Sequence, residues 1–473
     1  MRRISRYPAL PPPVSGRPEF LRAHRSQDMV TRIAAWVLIT FLILVIYDGA
    51  IRKWLLPGAH SAIFILKDAI LFAGILTVVA VGRAGQSWRL PAYMNVALGL
   101  YAVWVLVQVA NPHLPNMAVG VWGAKAHLLY AGLILLLPLA MASTKKSSIE
   151  LMEWAYPWIV IPVCALAVLQ VNSPADSFLN KQLDDSMEAM AFFGEQNLIR
   201  VSGTFSYLSG MASFQQVMGG LGIGLLLLGR RSPAFLAGLA GVGFSLPTTG
   251  SRGVIVFVAA TSAVYLTAAI LVGSRVMRIN AARNALAVIA VLAIVVLLSQ
   301  IVVPEAWEAL YERHIENQEE GEARVVHTLT DAFTFVDISG LTGFGSGAAN
   351  FGAVALTPNV VPFSWLPIGQ AFENEQGRIV LELGIVGFVL SMLLRFSILL
   401  WSCWALWFGR SWSSRAAGFL GLPFFAAGLY QGAGVFAHPL LAAAYWFFVA
   451  LLAMAHAEDE ALSRPRQRRV IRR

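Results

Sequence analysis

Arginines stand at three places where a long apolar stretch of chain is about to begin. Arg200 lies in Ile199-Arg200-Val201-Ser202-Gly203-Thr204-Phe205, Arg252 in Thr248-Thr249-Gly250-Ser251-Arg252-Gly253, and Arg378 just after Glu373-Asn374-Glu375-Gln376-Gly377. A guanidinium offers a planar fork of donors that grips phosphoryl oxygens at two points. If each arginine opens a helix, the unpaired N–H groups and partial positive charge of the helix start add to the same site. One arginine alone reads first as a side chain snorkelling to a membrane interface. Three at matching positions point instead to an anion, and a diphosphate suits them. Carboxylates supply the complementary chemistry. A glutamate with a pKa of about 4.3 is ionised at neutral pH and accepts a proton from a hydroxyl. Glu373 is the candidate base; Glu375 reads as a first-turn helix cap. His314 and His327 are alternatives to Glu373, and each also fits as a satisfied residue of a covering helix.

Charges inside apolar runs form a second group. Lys125 and His127 fall in one run, and Lys67 with Asp68 in another. Ionisable groups within a membrane are costly and are functional hypotheses by default. Lys125 is therefore a candidate contact for an anionic ligand. Lys67 and Asp68, as helix neighbours, point in different directions and read as structural. Glu382 sits four residues after Arg378, the spacing of a helical ion pair. No metal-ligand spacing appears, and the two cysteines, Cys164 and Cys403, form no CxxC pair. Gly343-Phe344-Gly345-Ser346-Gly347 lacks the following lysine of a nucleotide loop. No cofactor is expected.

These residues are positioned by a membrane protein. The 473 residues are 57% hydrophobic and only 13% charged, whereas soluble domains carry roughly 25% charge. The apolar runs predict an all-α, polytopic chain of about twelve transmembrane helices. Two of them, Pro233–Pro247 and Ala416–Tyr430, are short, and the tenth, Ile379–Leu400, extends as far as Phe408. The expected organisation is a basic tail over 1–32, nine spans over 33–303, an extracytoplasmic loop over 304–375, three spans over 376–456 and a second basic tail over 457–473. Within the loop, Val303, Trp307, Leu310, Tyr311 and His314 share a helical face, as do Val325, Val326, Leu329, Phe333 and Val336; both helices are expected to lie over the spans as a lid. With the N-terminus inside, about 24 of the 35 Lys and Arg fall on the inner side. Both termini are then cytoplasmic and the long loop faces outward. The net charge of +9 follows from this topology, and nucleic acid is not an expected partner.

Arg200-Val-Ser-Gly-Thr-Phe205, Thr249-Gly-Ser-Arg252-Gly253, Glu322-Ala-Arg324, Gly343-Phe-Gly-Ser-Gly-Ala-Ala-Asn-Phe351, Glu373-Asn374 and Leu381-Glu-Leu-Gly-Ile-Val-Gly387 follow one another around the large outer loop. In order and spacing the chain resembles the O-antigen ligase and O-antigen polymerase superfamily of bacterial inner-membrane glycosyltransferases. The resemblance implies a GT-C-like enzyme at the periplasmic face. It would transfer a glycan from undecaprenyl diphosphate to an acceptor hydroxyl with inversion and without a metal. Arg200, Arg252 and Arg324 would hold the donor diphosphate. Ligases of the family typically carry histidine where this chain has Glu373, which turns the expectation toward a polymerase of exopolysaccharide or O-antigen repeats. A ligase acting on lipid A-core is the alternative, and a solute or anion transporter is the alternative of another class. The expected catalytic residues are Glu373, Arg252 and Arg324, with Arg200, Arg378, Lys125 and Asn374 also binding substrate. Membrane lipid, a flippase and a chain-length regulator are the expected partners beside donor and acceptor.

Overall fold

The computed structural model describes residues 29–82, 89–183, 191–195, 197–276, 281–316, 326–328, 330–372, 374–430 and 438–463. Every apolar run is helical, as a lipid environment requires, because a helix satisfies its own backbone polar groups. In chain order the helices are α1 (Met29–Ala50), α2 (His60–Ala80), α3 (Ala92–Val107), α4 (Met117–Leu128), α5 (Leu133–Ala142), α6 (Ser148–Val171), α7 (Leu208–Leu227), α8 (Pro233–Ser245), α9 (Arg252–Val276), α10 (Ala281–Val302), α11 (Pro304–Glu316), α12 (Val336–Ser339), α13 (Glu375–Phe408), α14 (Trp412–Tyr430) and α15 (Pro439–Ser463). Local chemistry sets several starts. Asn116 accepts from Val119 N at 3.0 Å, Ser147 and Glu150 form a reciprocal capping box, and Pro233 opens α8. A small antiparallel hairpin, β1 (Phe192–Phe193) with β2 (Leu198–Ile199), precedes α7.

Among the described residues, ten helices are long and apolar enough to cross a membrane. α8 and α14, which correspond to the two short spans, are not among them. α8 has 13 residues, or about 20 Å. The tight turn Leu246–Thr249 adds about 8 Å, bringing the unit close to the roughly 30 Å of a hydrocarbon core. α8 packs along α6, and α14 between α13 and α15, so both belong to the bundle.

The connections sort to two ends. At one end Arg200 Nε donates to Thr249 O (2.8 Å), Arg313 Nη1 to Gly250 O (3.1 Å), Glu195 N to Glu312 Oε2 (3.0 Å) and Asn111 Nδ2 to Gly343 O (3.1 Å). Four of the segments expected on one side of the membrane are thereby bound to one another. At the other end Arg230 pairs with Glu153 at 3.4 Å, and Asp459 accepts from the Arg410 and Ser411 amides.

α13 is two helices. Glu375 and Arg395 are 2.7 Å apart, although a straight helix would separate residues 20 apart by about 30 Å. The chain turns back at Gly384, whose φ of 66° and ψ of −172° lie outside any helix. Segment 375–383 is thus a half-helix folded beside the long helix 385–408. The glycine-rich segment fills the break: Phe344 N and Gly345 N donate to Leu381 O and Glu382 O, while Ile385 N donates to Gly340 O. A Cβ on Gly384 would stand 2.3 Å from Leu341 O, so glycine is required there on both counts.

The first covering helix is present, and Val303, Trp307 and Leu310 of its expected face turn inward. α11 buries Ala306, Ala309 and Leu310, following the buried Val303, while Tyr311 and His314 are exposed. In the second pattern Thr328, Asp331 and Ala332 are buried and Val326 and Phe333 exposed, while Val325 and Leu329 lie outside the described residues. Small residues face the protein because backbones approach closely there: a Cβ on Gly194 would lie 2.3 Å from the Ala309 Cβ.

Candidate functional site

Arg200 and Arg252 meet at one turn. The β1–β2 hairpin ends with Arg200 N donating to Ala191 O at 2.8 Å, and Val201 N then donates to Thr248 O at 3.2 Å. This staples the arginine beside the Leu246–Thr249 turn, where its Nε donates to Thr249 O. Gly250 follows with φ +57°, and the Phe193 ring lies over it so closely that a Cβ would meet ring carbons at 2.8 Å. Two residues later Arg252 is the first residue of α9, a helix of 25 residues. A third guanidinium arrives from α11, since Arg313 Nη1 donates to Gly250 O. The turn's carbonyls thus hold two arginines within three residues of the helix start that Arg252 opens. Such a cluster offers several charge-assisted donors to one anion.

Arg378 lies in a different place. It is buried on half-helix 375–383, with Nη1 3.5 Å from Glu382 Oε1 and Nη2 3.9 Å from Glu375 Oε1. The expected i,i+4 pairing with Glu382 is present. Around it runs a buried chain of ionisable groups: Arg395 Nη2 on Glu375 Oε1 at 2.7 Å, Glu382 Oε2 3.0 Å from His127 Nε2, and His127 Nδ1 2.8 Å from the Tyr101 hydroxyl. The two arginines balance the two glutamates. Arg395 Nη1 also donates to Gly428 O at 2.5 Å, and Gln376 Nε2 donates to Leu429 O, fixing the half-helix to the end of α14.

Lys125 is engaged within the bundle. Its Nζ lies 2.7 Å from Asp68 Oδ2, while Asp68 Oδ1 accepts from the Tyr130 hydroxyl at 2.9 Å. Lys67 turns the other way and pairs with Asp48 at 2.7 Å. Asn374 caps α13 through Gln376 N at 3.3 Å and donates to Asp331 Oδ2 at 2.7 Å and to His327 O at 3.3 Å. Of the expected site residues, the turn at Thr248–Gly250 therefore unites Arg200 and Arg252, whereas Arg378, Lys125 and Asn374 are held by other partners. Arg324 and Glu373 lie outside the described residues. No group of three His, Cys, Asp or Glu able to hold a metal gathers among the described residues.

Sequence reasoning missed Arg313 and Arg395. Arg313 lies on the polar side of an amphipathic helix, where charge is the norm, and only the fold brings it to Gly250. Arg395 carried a signal: an arginine far inside an apolar span is itself a flag. No family model matches the chain, and no curated protein sequence matches it.

Proposed function

We propose that this chain is a polymerase of surface polysaccharide, a glycosyltransferase that extends a glycan carried on undecaprenyl diphosphate at the outer face of the bacterial inner membrane. The observation that carries the reading is the convergence of Arg200, Arg252 and Arg313 on one turn at the start of α9. Preorganised donors aimed at developing charge are often the largest single contribution to catalysis. In the proposed step an acceptor hydroxyl oxygen attacks the anomeric carbon of the donor sugar from the face opposite the diphosphate. The bond from that carbon to the diphosphate oxygen breaks, inverting the centre, and the bonding pair leaves with the diphosphate. Arg200, Arg252 and Arg313 hold that leaving charge, with Arg324 as the further donor the family resemblance implies. Glu373 accepts the hydroxyl proton.

Deleting the gene and analysing surface glycan with lipid-linked intermediates tests the reading. A polymerase leaves single repeats made and long chains lost. Intact long chains stranded on the lipid carrier would instead indicate a ligase. A solute or anion transporter is the second reading, and the half-helix 375–383 favours it, since broken helices and buried ion pairs build transporter sites. Anion uptake by proteoliposomes, with no consumption of a polyprenyl-linked glycan, would turn the assignment to that class.

A further inference from the structure

The end of α1 carries a cationic group that neither the arginine turn nor the buried network uses. Beyond Ala50 the helix widens into a π-helical turn, Ile51–Leu55, a geometry that often marks functional sites. Arg52 and Lys53 stand on it, both buried. Basic residues in a last turn ordinarily complement their own helix end. Here both reach across to the segment that leads into α7. Lys53 Nζ donates to Ser202 Oγ and Gly203 O, each at 3.0 Å, and Arg52 Nη1 donates to Ser206 Oγ at 2.7 Å.

The neighbouring acids are already engaged, Asp48 by Lys67 and Asp68 by Lys125. Among the described residues neither Arg52 nor Lys53 has a carboxylate within ion-pair distance, and the buried Arg52 Nε has no hydrogen-bond partner. A buried cation without a counter-charge is costly, and an anion would offset that cost. The place is built to receive one. α7 has 20 residues, and its cap residue Tyr207 gives no side-chain bond to the first turn, so N–H groups there remain for a ligand. Ser206, which anchors Arg52, is the residue just before Tyr207. Leu55, Leu56, Phe178 and Tyr207 are exposed around it, and Trp54 Nε1 donates to Phe178 O at 3.0 Å. In a chain of this class, exposed apolar and aromatic side chains at a helix end face lipid at the membrane boundary.

We propose that Arg52, Ser206 and the start of α7 bind the phosphoryl headgroup of a membrane lipid, its tail lying along Leu55, Leu56 and Tyr207. Bilayer phospholipids and polyprenyl diphosphates share this chemistry, and the site does not require that the chain transfer glycan. The full-length protein in detergent is titrated with phosphatidylglycerol in one series and undecaprenyl diphosphate in another, and lipid retention is read by native mass spectrometry. The parent should retain one lipid, and Arg52→Gln should weaken it by about 10- to 100-fold, the loss of a hydrogen bond to a charged group. Ser206→Glu places a carboxylate against Arg52 and should do the same, which decides the matter if Arg52→Gln fails to fold. Arg231→Gln, at the opposite end of the bundle, should change nothing. Preference for phosphatidylglycerol assigns the site to bilayer lipid, and preference for undecaprenyl diphosphate assigns it to the carrier. Retention of both lipids at parental strength by both variants, or of neither lipid by the parent, overturns the proposal.

Discussion

A guanidinium tied through its Nε to a backbone carbonyl keeps its plane fixed, and that is the state of Arg200 on Thr249. Arg252 stands next to this arrangement at the head of α9, and in the proposed reaction its two-point geometry would matter more than charge alone. Arg252→Lys retains the charge and loses the fork. Polymer formation by membranes carrying it should fall about 10²–10³-fold, the usual effect of removing one preorganised donor. Equal expression with parental activity would separate Arg252 from the reaction. Glu373→Gln tests the other half of the chemistry and should slow transfer by about 10²–10⁴-fold while leaving donor affinity near normal. The buried pair Glu375 and Arg395 makes a different prediction, about stability. Removing one partner of such a pair strands the other charge, at a cost of about 3–5 kcal/mol. Glu375→Gln should therefore lower the thermal midpoint of the detergent-solubilised protein sharply. Glu375→Leu combined with Arg395→Met should recover most of that loss, because an apolar replacement of both partners is often tolerated. A double variant as unstable as the single one would mean that the charges are not the source of the effect.

Among the elements, the break at Gly384 positions most of the buried charge. Its φ and ψ fall in a region open essentially to glycine alone, and Leu341 O occupies the space a Cβ would need. Gly384→Ala should expel the glycine-rich segment from the break, which hydrogen exchange would detect as faster exchange at Phe344 and Gly345 relative to α15. Unchanged protection would show that the segment docks without the turn. The sequence hid this feature for a physical reason. Leu381-Glu-Leu-Gly-Ile-Val-Gly387 is apolar on both sides of the glycine, and isolated glycines are common in unbroken transmembrane helices. The helices themselves were legible because about 20 apolar residues in lipid have few other options. The faces of the covering helices were legible only in part: Val303, Trp307 and Leu310 turn inward as expected, and Tyr311 and His314 do not. Apolar periodicity identifies an inward face only where the outside is water, and Val326 and Phe333 point outward while Ala332 packs inward. The meeting of Arg200 and Arg252 was legible as matching places before two helices, whereas Arg313 joined them only through tertiary contact.

For the whole molecule the charge bias and the hydrogen-bonded loops bear on one question. The segments around Asn111, Arg200, Gly250 and Arg313 are joined by hydrogen bonds at one end of the bundle, so they must face the same compartment. The Lys and Arg bias predicts that this compartment is the outside, because basic loops are retained in the cytoplasm. Asp176 is exposed at the loop end and Lys146 at the other. With both native cysteines replaced, Asp176→Cys should react with an impermeant maleimide in spheroplasts with an intact inner membrane. Lys146→Cys should react only after the membrane is broken. A reporter fused after Gln318 should behave as periplasmic in the same cells. The reverse pattern would turn the bundle over and put the arginine turn in the cytoplasm, where a lipid-linked glycan already flipped outward could not reach it. Labelling of both positions in intact spheroplasts would break the alternation itself, and the short helix α8 would be the first place to seek a segment that enters the membrane without crossing it.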